Sequence, residues 1–176
     1  INYSKVIRYS SKTFFSLGLS AGFYQRKISF DKLVFIEQEN FDNVSFYYPD
    51  INFGLLNKQI INNSIDLYSG ISLFHINRPN QSLLESDKEL LYPRLNIHTK
   101  ANILFYENWK ITPHIFFSNQ NINQELIIGS DLNYLLYDDK NIFFGFGTNY
   151  RYKDAVYYNA NIKAGSFEVI LNYDIN

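Results

Sequence analysis

Phe15-Ser-Leu-Gly-Leu-Ser-Ala-Gly-Phe-Tyr24 decides the class of this chain. Its odd positions are Phe15, Leu17, Leu19, Ala21 and Phe23, and its even ones Ser16, Gly18, Ser20, Gly22 and Tyr24. A strand turns successive side chains to opposite faces, so one face is apolar and the other small or polar. In a soluble sandwich the apolar face turns inward and the outer face carries many charges. Here the second face is glycine, serine, asparagine and threonine with sparse charge. The pattern returns in Leu95, Ile97, Thr99, Ala101 and Ile103 against Asn96, His98, Lys100 and Asn102. It returns again in Phe144, Phe146, Thr148 and Tyr150 against Gly145, Gly147, Asn149 and Arg151. Long strands with an apolar stripe outside and a polar lumen inside mark a transmembrane β-barrel. The expected fold is all-β, an antiparallel barrel of outer-membrane type. Phe15, Leu17, Phe144, Phe146, Val169 and Leu171 should face lipid, and Gly145, Gly147, Asn149 and Arg151 the interior.

Composition agrees. The 176 residues suffice for one domain with a large core. Aromatics make up 18%, with 15 Tyr and 16 Phe, a share suited to the girdles at membrane interfaces. The net charge of −1 implies neither a nucleic-acid partner nor a basic membrane patch. Cysteine is absent, which removes disulfides, thiolate metal sites and cysteine nucleophiles together. No apolar run is long enough for a transmembrane helix, which says nothing against a barrel. An exported barrel needs a signal peptide, and the sequence shows none, so either it has been removed or the chain is partial.

Read in order, the chain offers strands near Asn2–Tyr9, Thr13–Tyr24, Asp50–Asn57, Ser64–His75 and Arg94–Tyr106. Others lie near Trp109–Ser118, Gln124–Tyr137, Asn141–Arg151, Val156–Lys163 and Ser166–Asp174. At 8–14 residues they outrun the 5–6 typical of soluble sheets. Phe30–Glu39 is the one stretch that suits a short helix, and nothing reads as a linker or a second domain. Tight turns at Ser10–Lys12, Glu107, Asp138–Lys140 and Ala164–Gly165, with an intermediate one at Lys58–Asn63, belong to one end. The alternate connections are Gln25–Pro49, Ile76–Pro93, Asn119–Asn123 and Tyr152–Ala155, two of them long. Bacterial barrels keep short turns in the periplasm and longer loops outside. That rule gathers Asp50, His75, Arg78, Pro79, Arg151 and Asp154 at the outer rim. It also puts Ile1 and Asn176 outside, whereas such barrels usually begin and end in the periplasm. The expectation is a single partial barrel domain over 1–176, a C-terminal piece lacking strands at both ends.

Chemical sites are weak when taken singly. His98 and His114 fall on the polar face of neighbouring strands as diagonal neighbours, but two histidines without a placed third ligand do not make a metal site. Asp138-Asp139 sits in a hairpin-turn sequence, where turn chemistry explains the pair. No Gly-x-Ser-x-Gly elbow is present. Phe144-Gly-Phe-Gly147 lies inside a strand with no helix after it, so it is not a phosphate loop. No acid/base or nucleophile constellation converges, and the reading is non-enzymatic, with no catalytic residue, metal or cofactor.

The rim carries a more specific signal. Ser69-Gly-Ile-Ser-Leu-Phe-His-Ile-Asn-Arg-Pro-Asn-Gln81 reads as the end of a strand running into an ordered loop, where Pro79, after Asn77 and Arg78, stops ladder pairing. Tyr150-Arg-Tyr-Lys-Asp-Ala155 is a charged strand–loop–strand junction, and Tyr48-Pro-Asp-Ile-Asn-Phe-Gly54 opens a strand on a proline. Together these resemble the PorP/SprF family of the Bacteroidetes. Its Pro-Asp-x-Asn-x-Gly start is matched by Pro49, Asp50, Asn52 and Gly54. Its Gly-x-Ser-x-x-His-x-x-x-Pro segment is matched by Gly70, Ser72, His75 and Pro79. Its Tyr-Arg-x-x-Asp-Ala hairpin is matched by Tyr150, Arg151, Asp154 and Ala155. The Leu17–Gly22 strand and a closing Tyr-Asp-Ile-Asn at Tyr173–Asn176 fit as well, in the family's order.

The resemblance implies a multi-pass outer-membrane protein of the type IX secretion and gliding machinery, without enzymatic activity. Its implied role is to assist export or surface retention of a large cargo adhesin with a C-terminal sorting domain. Implied partners are outer-membrane lipid, that cargo and other components of the secretion machine. For His75, Arg78 and Asp154, bracing of the loops is preferred over direct contact with cargo. The rival reading is a porin or transporter for small or hydrophobic solutes.

Overall fold

The computed structural model describes residues 1–28, 44–82, 88–137 and 142–175. They build ten strands: β1 (Asn2–Arg8), β2 (Thr13–Ile28), β3 (Val44–Asn62), β4 (Ile65–Phe74) and β5 (Arg94–Tyr106), then β6 (Trp109–Gln120), β7 (Asn123–Tyr137), β8 (Ile142–Arg151), β9 (Ala155–Ala164) and β10 (Phe167–Ile175). Each pairs antiparallel with the next in one sheet whose order is the order of the sequence. The fold is all-β, as the alternation requires. The sheet is open, with β1 and β10 as its edges. Among the described residues no helix is long and apolar enough to cross a membrane.

Register places the two faces as the alternation predicts. Ser4, Gly18, Gly54 and Ser72 stand opposite one another across β1 to β4. Asp131, Gly147 and Asn159 do so across β7 to β9. Along β8, Gly145, Gly147 and Asn149 are buried while Phe144, Phe146, Thr148 and Tyr150 are exposed. The molecule is thus inside out relative to a soluble domain. Its buried polar side chains are Asp50, Thr112 and Asn149, and the apolar residues buried among those described are, glycine aside, Ala155 and Pro79. Leu19, Phe23, Ile162 and Leu171 are exposed by 54%, 81%, 50% and 70%. Water would penalise such a surface, whereas hydrocarbon matches it.

Two elements depart from expectation. β2 and β3 run on to Ile28 and back to Val44, so the strand expected at Asp50–Asn57 spans 19 residues. Pro49 therefore lies within a strand rather than opening one. Its neighbour Ile51 turns its backbone groups toward the β4 side, since the Ile51 carbonyl accepts from the Ile76 N–H at 3.0 Å. Pro49, two residues away, turns to the same side. β3–β4 pairing begins only at Phe53↔Leu73, so the proline's missing N–H removes no ladder bond. At the other end of β3 the intermediate turn expected at Lys58–Asn63 is a tight one at Asn63–Ser64, where the Ser64 N–H donates to Asn62 Oδ1 at 2.8 Å. Phe30–Glu39 and the Asp138–Lys140 turn lie outside the described residues.

Candidate functional site

The strand ends joined by the longer connections form one rim, and the sequence motifs gather on it in two clusters. The first joins β3 to the segment after β4. Register sets Gly54 opposite Ser72 and Leu56 opposite Gly70, which brings the Pro49–Gly54 and Gly70–Pro79 motifs side by side. At their junction His75 Nδ1 lies 2.9 Å from Asp50 Oδ1. A carboxylate can only accept, so this nitrogen carries the proton. Asp50 is 3% exposed, so its charge needs the partners it has: the imidazole and, at 3.4 Å, the Asn52 amide. Asn52 also accepts the His75 backbone N–H at 2.9 Å. His75 holds φ of 56° and Arg78 of 47°, left-handed conformations that turn the chain sharply off the end of β4. The Arg78 N–H closes that turn on the His75 carbonyl at 2.9 Å.

Asn77 then acts as a strand surrogate. Its Oδ1 accepts the Ile51 N–H at 3.1 Å, and its Nδ2 donates to the Pro49 carbonyl at 2.8 Å. One side-chain amide thereby takes the backbone groups that β4, already ended, does not reach. Pro79 is buried, and Asn80 bridges to Leu90 as the loop returns.

The second cluster is the β8–β9 junction, centred on Arg151. Its guanidinium donates to Asp154 at 2.7 Å, lies 3.3 Å from Glu125 and 3.8 Å from Asp174, and stands over the Tyr157 ring at 5.5 Å. Lys153 takes φ of 61° in the turn, where its N–H meets the Tyr150 hydroxyl at 3.4 Å. A cleft of about 520 Å³ opens here between Gln124, Glu125, Arg151, Tyr152, Lys153 and Asp154.

Pro49, Asp50, His75 and Asn77 thus come together, as do Tyr150, Arg151 and Asp154. Arg78 joins no ion pair among the described residues, and its guanidinium lies over the Tyr92 ring at 5.4 Å. Residues missed in the sequence complete both clusters. Arg26 donates to the Gln81 carbonyl at 2.9 Å and lies 3.8 Å from Glu89, while Arg94 stacks over Phe74 at 4.8 Å. Glu125 and Asp174 supply the acids around Arg151. Arg26 keeps the inner phase of the Phe15–Tyr24 alternation, a signal that extending the strand would have read.

Chemically the rim is a fixed set of ion pairs and amide clasps. His98 and His114 share the inner face, yet His114 binds Asn149 at 2.7 Å while His98 covers Gly70. Among the described residues no group of three or more histidines and acids converges as a metal site. The chain matches no curated protein and no solved structure. One family model, described as Type IX secretion system membrane protein PorP/SprF, matches residues 1–176. With that match over the whole sequence given, and with the motif residues of three separate segments knit into one rim, the chain belongs to the PorP/SprF family of type IX secretion system membrane proteins.

Proposed function

We propose that the chain is a multi-pass outer-membrane protein that assists export or surface retention of a large cargo protein bearing a C-terminal sorting domain. The long-loop rim meets the cargo, and the short turns face other components of the secretion machine. The observation that carries this reading is the construction of the rim. Asp50, His75 and Asn77 on one side and Arg151 with its acids on the other hold two loops in fixed shapes. A protein-binding surface profits from such preorganisation. Arg78, Tyr92, Tyr152 and Lys153 are among the exposed groups left for contact. The bracing residues act on cargo only through the loop shapes they set.

In hydrocarbon every unpaired backbone group costs several kcal/mol. Strand pairing at both open edges, β1 and β10, is therefore part of the proposal. Membrane fractionation tests the location: the protein should resist a urea wash and need detergent for release. Deletion of Asn77–Asn80 should leave it in the membrane and lower surface-exposed adhesin. Arg78→Ala, which spares the Asn77 clasp, should lower display with the loop intact. Normal display in both variants, or a large ion conductance from the purified full-length protein, would support the porin reading instead. The polar lining of the inner face is what favours that alternative.

A further inference from the structure

The inner face of β5 to β10 surrounds a polar cavity of about 650 Å³, a size suited to a small ligand. Three lysines line it from three strands: Lys100 on β5, Lys110 on β6 and Lys163 on β9. Two acids line it as well, and both are occupied. Asp131 Oδ1 accepts from the Asn159 amide at 3.1 Å, and its other oxygen lies 3.6 Å from His114 Nδ1. Glu168 accepts from the Asn161 amide at 3.1 Å.

The lysines have no such partners. Lys100 lies over the Tyr68 ring and Lys110 over the Phe143 ring, at 5.4 and 5.5 Å. Among the described residues none of the three ammonium groups forms an ion pair. Three ammonium groups line the cavity against two carboxylates, each of which already accepts from an asparagine amide, and this asymmetry gives the cavity its sign. A cationic guest would meet three ammonium groups there. An oxyanion would find three ammonium donors, with the Asn133 and Asn172 side chains beside them.

We propose that this cavity binds a small organic oxyanion, a phosphate ester or a polycarboxylate, through Lys100, Lys110 and Lys163. The site lies on the inner face below the rim and stands or falls independently of cargo display. The full-length protein, purified in detergent at low salt, is titrated calorimetrically with inorganic phosphate and, separately, with citrate. Saturable binding of either probe is expected, weakening as salt rises. Phosphate alone or citrate alone supports the site and selects the ester or the carboxylate. The double variant Lys110→Gln, Lys163→Gln should bind about tenfold or more weakly. Arginine at both positions should restore binding, and Lys12→Gln, in a short turn, should leave it unchanged. Each variant is first shown to be folded by its unheated gel mobility. If the double variant does not fold, the Lys100→Gln and Lys163→Gln single variants carry the same comparison. Absence of saturable binding by folded wild type, or binding that the lysine variants leave untouched, overturns the proposal.

Discussion

On the inner face of β7 and β8, Gly129 and Gly147 lie beneath other side chains, whereas on β2 and β3 Gly18 and Gly54 lie beneath none. A Cβ at Gly129 would collide with the Asn149 amide, and one at Gly147 with the Asp131 carboxylate. At Gly18 the nearest atom would be the Gly54 carbonyl oxygen at 3.9 Å, and at Gly54 the Ser72 Cβ at 3.9 Å. All four glycines occupy the same phase of the same alternation, so the sequence pattern alone treats them alike. In the β6–β9 half they make room for a buried polar layer in which Asn149, 2% exposed, accepts through Oδ1 from His114 Nε2 at 2.7 Å. Around Gly18 and Gly54 in β2 and β3 they leave the face bare. The lesson is that a small inner residue has two causes, a neighbour that needs its volume or a lumen left open, and only register with distant strands separates them.

The largest effect should not distinguish the halves at all. Phe146→Arg in β8 and Leu19→Arg in β2 each put a cation on the apolar face near mid-strand. Each should lose about 2–4 kcal/mol of folding free energy, measured by denaturant unfolding in lipid vesicles. Unequal losses would mean that the outer faces differ too, and the comparison would have to widen.

The next effect should separate the halves. Gly147→Val forces Asp131 and Asn159 out of place and should cost about 1–3 kcal/mol as overpacking. Gly18→Val, with open space above it, should change stability by no more than about 0.5 kcal/mol. Equal costs would show that the bare half is filled in the membrane. A subtler test is Asn149→Leu, which leaves His114 Nε2 without its partner and should cost about 1–3 kcal/mol. Ser72→Ala, at the matching depth of the bare half, should stay within about 0.5 kcal/mol. The smallest contrast is Gly54→Ala, expected to be neutral or slightly stabilising through the unfolded chain.

Strand positions were legible because alternation is local. β5 was read at Arg94–Tyr106, where it lies, and the inner and outer faces of β8 fell as expected. β3 was read too short for an equally physical reason. Proline weakens a ladder only where its N–H would have donated, and at Pro49 that depends on β4 having ended, a fact held more than twenty residues away. The rim residues were reached through connection lengths and the family resemblance, yet the Asp50–His75 pair rests on β3–β4 register and could not be paired by inspection. Arg94 was not singled out because its environment, the Phe74 ring, is set by register alone.

The amide of Asn77 has a consequence beyond the geometry of its loop. β3 extends past the end of β4, and a strand that outlives its neighbour offers an unsatisfied edge to any extended peptide nearby. By occupying the N–H of Ile51 and the carbonyl of Pro49, Asn77 removes the first step at which a foreign strand would zip onto that edge, and Pro49 withholds the next donor in line. The loop thus blocks β-addition along the part of β3 that β4 leaves uncovered.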